Sequence, residues 1–582
     1  MSDTGHHFPP AERALVEAVS SESLMASTTT IAQWFRLSGS EEEAQAFDWV
    51  AETCRGYGMC VERHAADVLV SWPGQATLEL LGPEGRSFPC ITHAFAGVTP
   101  PEGITGDLIE GSAEASAQRG KIVISDGLAN PNKTIAAQEA GVLAQININD
   151  DFVHEMIISP VWGSPTPQTA PLLPHLISIS VNAADGAELR RLFAAGTVQA
   201  RIVTAVDTRW RKIPILTAEV GGQEDRYVLF SGHIDSWHYG AMDNGTANAT
   251  MLEVGRLLSA RGGDLRRGLR LAFWSGHSHA RYAGSTWYAD HFWPDLNERC
   301  VAHVYVDSVG GMGATILSEA NAMAETVGFG GGAIREIAGQ ELDYKRFGRA
   351  GDQSFNGIGI PALFMSLSGQ PATGGAMEEQ MARLLGGGGG KSGGLGWWWH
   401  TTEDTIDKID PAFLVRDATI YALTLWRLCT LPLLPFDYAA AVAEMRGVLG
   451  DLAAVAGDRF DLAPVLAEAD ALHAAARRFT TASAAATDEA TIARCNATIM
   501  ALGRILTPIN YTIAGAYEHD LALGVAPVPA LQPLRQLATL DPASDEAHYL
   551  DTQLVRARNR IWHAFREARQ AIERSRVVGR ES

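Results

Sequence analysis

The sequence is poor in positive charge, poor in cysteine and free of long apolar runs. Lys and Arg number 46 against 67 Asp and Glu, a net charge of −21. Such a surface repels polyanions, which argues against nucleic acid or an anionic membrane face as partner. No apolar run approaches the ~20 residues needed to cross a bilayer. The first stretch, MSDTGHHFPPAERALVEAV, lacks the basic-then-apolar order of a secretory signal. The six cysteines (Cys54, Cys60, Cys90, Cys300, Cys429, Cys495) are scattered, and Cys54 and Cys60 are too far apart for a C-x-x-C pair. These absences together predict a cytoplasmic protein with reduced thiols. The remainder is ordinary for a globular chain: 46% apolar and 19% charged residues over 582 positions, too many for one core and enough for about two to four domains.

The most informative stretch is Tyr227 to Leu258, YVLFSGHIDSWHYGAMDNGTANATMLEVGRLL. Val228-Leu229-Phe230 reads as a buried strand that runs into a loop at Ser231-Gly232. The loop holds His233, Asp235 and Asp243, and a helical pattern resumes after Asn248. An imidazole and two carboxylates therefore sit at the C-terminal end of a strand, where open α/β sheets place their sites. His and Asp together suit Zn²⁺ or a similar divalent ion. The alternative is a solvated polar loop.

Around this stretch the texture changes several times. Residues 10–60 read as helical, with Glu41-Glu42-Glu43 opening one helix at its positive end. From Asp67 short β-like runs follow (Val68 to Val70, Thr77 to Leu81). Strands at Gly120 to Ser125 and Gly141 to Ile146 then bracket a helix at Thr134 to Ala140. This part shows no cluster of catalytic residue types. From Lys212 the strand–loop–helix rhythm returns, with buried strands at Leu269 to Trp274, Val301 to Val306 and Ile360 to Phe364, as in a mainly parallel sheet. Residues 386–396, GGGGGKSGGLG, read as a mobile loop. Past Pro435 the chain is a set of helices: Tyr438 to Val455, Leu462 to Arg478, Glu489 to Ile505 and Ser544 to Arg574.

Further polar residues follow predicted strands. Asp307 follows Val301 to Val306. His277-Ser278-His279 follows Leu269 to Trp274. His400 follows Trp397-Trp398-Trp399 and precedes Thr401-Thr402-Glu403-Asp404-Thr405. Their shared position at strand ends singles them out.

In this order, His233-Ile234-Asp235, Asp243-Asn244, Asp307 and His400 to Thr405 resemble the co-catalytic zinc aminopeptidases and glutamate carboxypeptidases, in the branch of glutamate carboxypeptidase II and the transferrin receptor. Gly284-Ser285, Asp352 with Phe355, and Gly359-Ile360-Pro361 match as well. The resemblance implies an α/β fold: a mainly parallel zinc-peptidase-like sheet flanked by helices (1–70 and 206–432), an inserted protease-associated domain (71–205) and a C-terminal helical dimerisation domain (433–582). It implies that Asp243 bridges two metal ions, that His233 and Asp307 complete one ion and His400 helps complete the other, and that Asp235 orients His233 from behind.

The family's Glu-Glu pair, base and ligand, is missing. The segment reads Phe273-Trp274-Ser275-Gly276-His277-Ser278-His279-Ala280-Arg281-Tyr282-Ala283-Gly284-Ser285. Read back from Gly284-Ser285, Ser278 takes the base position and His279 the ligand position. Read forward from the strand, His277 takes the base position. The reading that keeps both functions has His277 as acid/base and His279 as ligand. A two-His, one-carboxylate ion also suits iron, so Mn or Fe stand beside Zn, at one or two ions per chain. Arg281, with Tyr282, is read as a substrate contact, with a surface ion pair as the alternative for Arg281.

The resulting expectation is a cytoplasmic, homodimeric, metal-dependent hydrolase of an amide (peptide-like) bond in a small molecule or short peptide. The other readings are a binding or scaffold protein that has lost peptidase chemistry, and a metal-assisted lyase or deaminase.

Overall fold

The computed structural model describes residues 8–577 apart from 83–84, 197, 350, 365, 376–377 and 382–389. Three strands form its centre: β9 (Tyr227–His233), β10 (Gly268–Trp274) and β11 (Cys300–Tyr305), each buried along its whole length. Both faces of these strands are covered by helices, so their near-continuous apolar runs belong to parallel pairing. β10 and β11 both pair parallel to β9, and the short β14 (Ala362–Leu363) pairs parallel to β11. The predicted strand at Ile360 to Phe364 thus contracts to two paired residues. The mixed α/β architecture agrees with the sequence reading.

The runs Val68 to Val70 and Thr77 to Leu81 are not separate strands. They belong to one strand, β1 (Cys60–Leu81), which pairs antiparallel with β8 (Gln199–Val220) along almost its full length. Pro73 and Gly74 look like a break in the sequence, but the ladder absorbs them as an irregularity between Pro73 and Ala76. A Cβ at Gly74 would stand 2.7 Å from the Ala205 carbonyl oxygen, so the site needs glycine.

β8 pairs with β10 at one end and with β4 (Ile104–Glu110) at the other. One continuous sheet therefore joins the central strands to β5 (Ile122–Asp126), β6 (Ala144–Ile148) and β7 (Ile177–Val181). The expected boundaries at 70/71 and 205/206 fall inside this β1–β8 ribbon.

Helices cover the central strands. The helix Glu41–Gly56 starts on Ser40, whose side chain accepts from the Glu43 N–H, with three acids in its first turn. The C-terminal part is helical at Tyr438–Ala456, Ala463–Ala484, Glu489–Tyr511 and Asp545–Ser575. Ala547, Leu550, Leu554, Ala557, Ile561, Phe565, Ala568 and Ile572 form the buried stripe of the last helix at helical spacing. Of the glycine run read as a mobile loop, residues 386–389 lie outside the described residues. The rest is irregular, with Ser392 bridging to Pro371. No described helix is long and apolar enough to cross a membrane.

Candidate metal centre

Parallel register brings the polar residues to one edge of the sheet. His233 ends β9 opposite Trp274 of β10, and Tyr305 of β11 pairs with Ser231. The segments 233–246, 275–282 and 306–308 thus leave the sheet side by side.

The 234–246 loop is held from inside. Arg36, fully buried, donates to the carbonyls of Ile234 (2.7 Å), Tyr239 (2.7 Å) and Gly240 (2.9 Å). Gly240 adopts φ +50°, and a Cβ there would lie 2.1 Å from the Asp243 carbonyl oxygen, so the turn requires glycine. Asp404 accepts from the backbone N–H groups of Met242 (2.8 Å) and Asp243 (2.9 Å). Burial pushes the Asp404 carboxyl up to about 7 against these bonds. Asn244 Oδ1 accepts from the Ser308 N–H, tying this loop to the one that carries Asp307.

Asp243 faces a histidine with each oxygen. His233 Nε2 lies 3.2 Å from Oδ1, and His400 Nε2 lies 3.1 Å from Oδ2. Asp307 Oδ2 is 3.4 Å from His233 Nε2. Each histidine is oriented by a main-chain carbonyl at Nδ1, that of Asp235 for His233 (2.8 Å) and that of Glu155 for His400 (2.6 Å). Burial lowers the pKa of His233, but Asp307 and Asp243 outweigh it and hold the imidazole well above its usual range. Burial raises Asp243, and His233 and His400 reverse this to well below the carboxylate range. His400 faces a single carboxylate, and burial wins there, lowering it.

The approach of His233 to Asp243 has the distance of a hydrogen bond without its alignment. His233 Nε2 and Asp243 Oδ1 are both buried and have no hydrogen-bond partner among the described residues. Buried polar atoms left unpaired are costly. Imidazole nitrogens and carboxylate oxygens that converge without bonding one another fit a divalent cation. The ligand atoms of His233, His277 and Asp307 also lie within 4.8 Å of one another.

The His-Ser-His segment differs from its expected arrangement. His277, expected as the acid/base group, joins the candidate ligands, its ring stacked on that of His233 with centroids 3.7 Å apart. His279, expected as a ligand, is fully buried outside that group. Its Nδ1 lies 3.0 Å from Ser38 Oγ, its ring packs against Trp237, and its Nε2 has no hydrogen-bond partner among the described residues. Ser278 lines the cavity.

Asp235 also behaves differently: its carbonyl, not its carboxylate, orients His233. The carboxylate accepts instead from the N–H groups of His277 (3.2 Å) and Ser278 (2.8 Å) and from Ser38 Oγ (2.9 Å). It shapes the loop that carries the His-Ser-His segment.

The cavity over these groups has a volume of about 60 Å³ and is lined by Asp243, His277, Asp307 and His400, with Arg281, Tyr282, Met156 and Ile157 among the walls. Arg281 is buried, so the surface ion pair is excluded. Its guanidinium donates to the carbonyls of Ser159 and Ile157 and, among the described residues, forms no carboxylate pair. Tyr282 meets His277 edge-on at 4.9 Å. Residues 155–159 come from the part of the chain in which no catalytic cluster was legible. They act through main-chain carbonyls and a wall of Met156 and Ile157, which leave no signature in residue type. Asp404 sits in the motif after His400 and Asp352 in a matched motif, yet their partners were not legible. A second cavity of about 480 Å³ shares Pro131 and Met156 with the first.

Residues 215–424 match peptidase family M28. A probable glutamate carboxypeptidase, VP8, of Zea mays is 26% identical over 272 residues, covering 43% of this chain and 35% of that one. Carboxypeptidase Q of Homo sapiens is 26% identical over 280 residues, covering 44% and 58%. The chain thus spans roughly a third to just over half of the length of these curated relatives. A zinc aminopeptidase from Bacillus subtilis superposes with a TM-score of 0.53 at 18% identity, over 70% of this chain and 95% of the other, a likeness of fold.

Proposed function

We propose, from the M28 match over residues 215–424, that the protein is a metal-dependent hydrolase cutting a peptide-like amide bond in a small molecule or short peptide. One observation carries this reading: each oxygen of the buried Asp243 faces a histidine Nε2, and His233 Nε2 and Asp243 Oδ1 are left without a hydrogen bond. His233, Asp243 and Asp307 would hold a divalent cation, with His277 beside them, and His400 would share Asp243 from the other side. Zinc is the first candidate, because the Bacillus subtilis neighbour in fold is a zinc aminopeptidase, with Mn and Fe as alternatives at one or two ions per chain. A cation held by these residues would supply polarisation of an amide carbonyl and activation of water near neutral pH.

The protein's own groups do the rest. Asp404, Asn244 and Arg36 fix the loop that carries Asp243. Asp235 fixes the main chain of His277 and Ser278. Tyr282, Met156 and Ile157 narrow the cavity and exclude bulk water from the reacting bond, and the adjoining larger cavity gives room for a small substrate. A scaffold that has lost this chemistry gains nothing from buried, unpaired ligand atoms, which disfavours the binding-protein reading.

From the family resemblance we also propose a protease-associated character for the part between β1 and β8 and a homodimer through the C-terminal helices, and from the scattered cysteines a cytoplasmic location. The test of function is hydrolysis of a panel of dipeptides and N-acyl amino acids by purified protein, with metal content measured on the same sample. Chelator-sensitive turnover of at least one amide is expected. No turnover across the panel at full metal occupancy sinks the hydrolase reading.

A further inference from the structure

The resemblance leaves a carboxylate missing, and beside the candidate ligands His233 and Asp307 the chain places the imidazole of His277, held on several sides. His277 Nδ1 lies 2.7 Å from Asp352 Oδ2. Asp352 is fully buried, and its other oxygen accepts from Ser285 Oγ at 2.6 Å. The Tyr305 hydroxyl stands between two carboxylates, 2.7 Å from Asp307 Oδ2 and 3.3 Å from Asp352 Oδ2. Asp352 therefore has contacts on both sides: with His277, and through Tyr305 with a candidate metal ligand.

The ring itself is fixed on its remaining sides. His233 stacks on one face, with planes 12° apart, and Tyr282 meets it edge-on. The backbone N–H of His277 donates to Asp235. A carboxylate only accepts hydrogen bonds, so Nδ1 is the nitrogen that carries the proton. That leaves Nε2, which makes no hydrogen bond among the described residues, on a side chain that lines the active-site cavity.

We propose that Asp352 is a positioning residue that fixes His277 as its Nδ1–H tautomer and turns the Nε2 lone pair into the active-site cavity. Ser285 and Tyr305 hold Asp352 in that task. In the register read forward from the strand, where His277 takes the base position, the arrangement would supply an acceptor there as an imidazole, backed by the Asp352 carboxylate. A histidine whose second nitrogen is held by a carboxylate is a recurring device for fixing tautomer and orientation, and removing the carboxylate typically costs about 10–100-fold in activity or metal affinity.

The inference rests on the proposed function only in naming the cavity as the active site, so its first test needs no turnover. Metal-free protein labelled with ¹⁵N-histidine is examined near pH 8 by long-range ¹H–¹⁵N correlation, and the His277 signals are identified by their loss in His277→Gln. The wild type should show the Nδ1–H tautomer, and Asp352→Asn should show the Nε2–H form or an average of the two. An Nε2–H tautomer in the wild type overturns the proposal, and so does an unchanged His277 spectrum in Asp352→Asn. On the amide substrate, Asp352→Asn should lower kcat or metal affinity by about 10–100-fold with KM little changed, and Asp352→Glu should recover part of the loss. Asp352→Asn with kcat and metal affinity both within twofold of wild type would reduce the contact to a packing detail and end the proposal. Absence of turnover in the wild type would end the hydrolase reading and leave the tautomer result standing.

Discussion

Asp404→Asn is a small change with a calculable effect. Above about pH 8, where the carboxyl that burial pushes up to about 7 is ionised, it accepts from two consecutive N–H groups, those of Met242 and Asp243, and so sets where the Asp243 side chain starts. Hydrogen bonds to a charged acceptor contribute about 1.5–3 kcal/mol each. Asparagine keeps one acceptor oxygen and presents an NH₂ group to the second N–H. One charge-assisted bond becomes a neutral one and the other a donor–donor contact. The loss bears on the position of a residue whose two oxygens face His233 and His400, so it should appear as weakened metal binding. A loss of about 1.5–3 kcal/mol corresponds to about 10–150-fold in the dissociation constant. The assay is titration of metal-free protein against a competing chromophoric chelator, followed by kcat at saturating metal. Affinity should fall by that factor, and kcat at saturation should move much less. Affinity within threefold of wild type would refute the idea that Asp404 positions the Asp243 carboxylate.

Asp243→Ala removes the carboxylate facing both His233 and His400 and should leave less bound metal, by elemental analysis, than either His233→Ala or His400→Ala. Arg281→Met deletes the guanidinium that holds the Ile157 and Ser159 carbonyls, so protease cleavage near 155–163 should quicken and KM should rise before kcat falls. His93 and His303 are both fully buried, and burial pushes each down to about 3; Lys133 adds to this for His93, and Asp352 opposes it for His303. The unfolded chain therefore takes up protons that the folded one refuses. Stability from these groups is complete above about pH 6.5 and falls toward pH 3, by up to about 1.4 kcal/mol per pH unit for each. His93→Gln with His303→Gln should flatten the decline of the thermal midpoint between pH 6.5 and 4.5, measured by calorimetry, and an unaltered slope would contradict that sign. Light scattering at micromolar concentration should return the mass of two chains, since family-type dimers bury large interfaces.

The parts of the site that sequence made legible are those whose chemistry is written in residue type. His233, Asp243, Asp307 and His400 stand at or just beyond strand ends or in a motif of fixed order, and the structure brings them together. The parts that escaped depend on main chain or on loop path. The carbonyls of Asp235 and Glu155 orient two histidines, and any residue has a carbonyl. The roles of His277, Ser278 and His279 depend on the path of their loop, where the Asp235 carboxylate accepts from two backbone N–H groups. Arg281 suggested a carboxylate partner because its fork suits one, but two carbonyls of a distant segment fill that role. In the fold, Pro73-Gly74 read as a chain break, because sequence alone does not reveal that a second strand of equal length runs alongside to bridge it.

That pair of strands has a consequence for how the gene can vary. β1 and β8 each run for 22 residues, on the order of 70 Å at about 3.3 Å per residue, and between them carry the segment whose carbonyls touch His400 and Arg281. The separation between the candidate metal ligands and the cavity wall is therefore counted out in residues along a ladder. Deleting one codon on either side of Gly74 would turn every following side chain of that strand to the opposite face. Insertions and deletions within the ribbon should then be nearly absent among functional variants, or should occur in compensating pairs across the two strands. Length changes should concentrate instead in exposed connections such as the one between β4 and β5, where nothing downstream depends on the count.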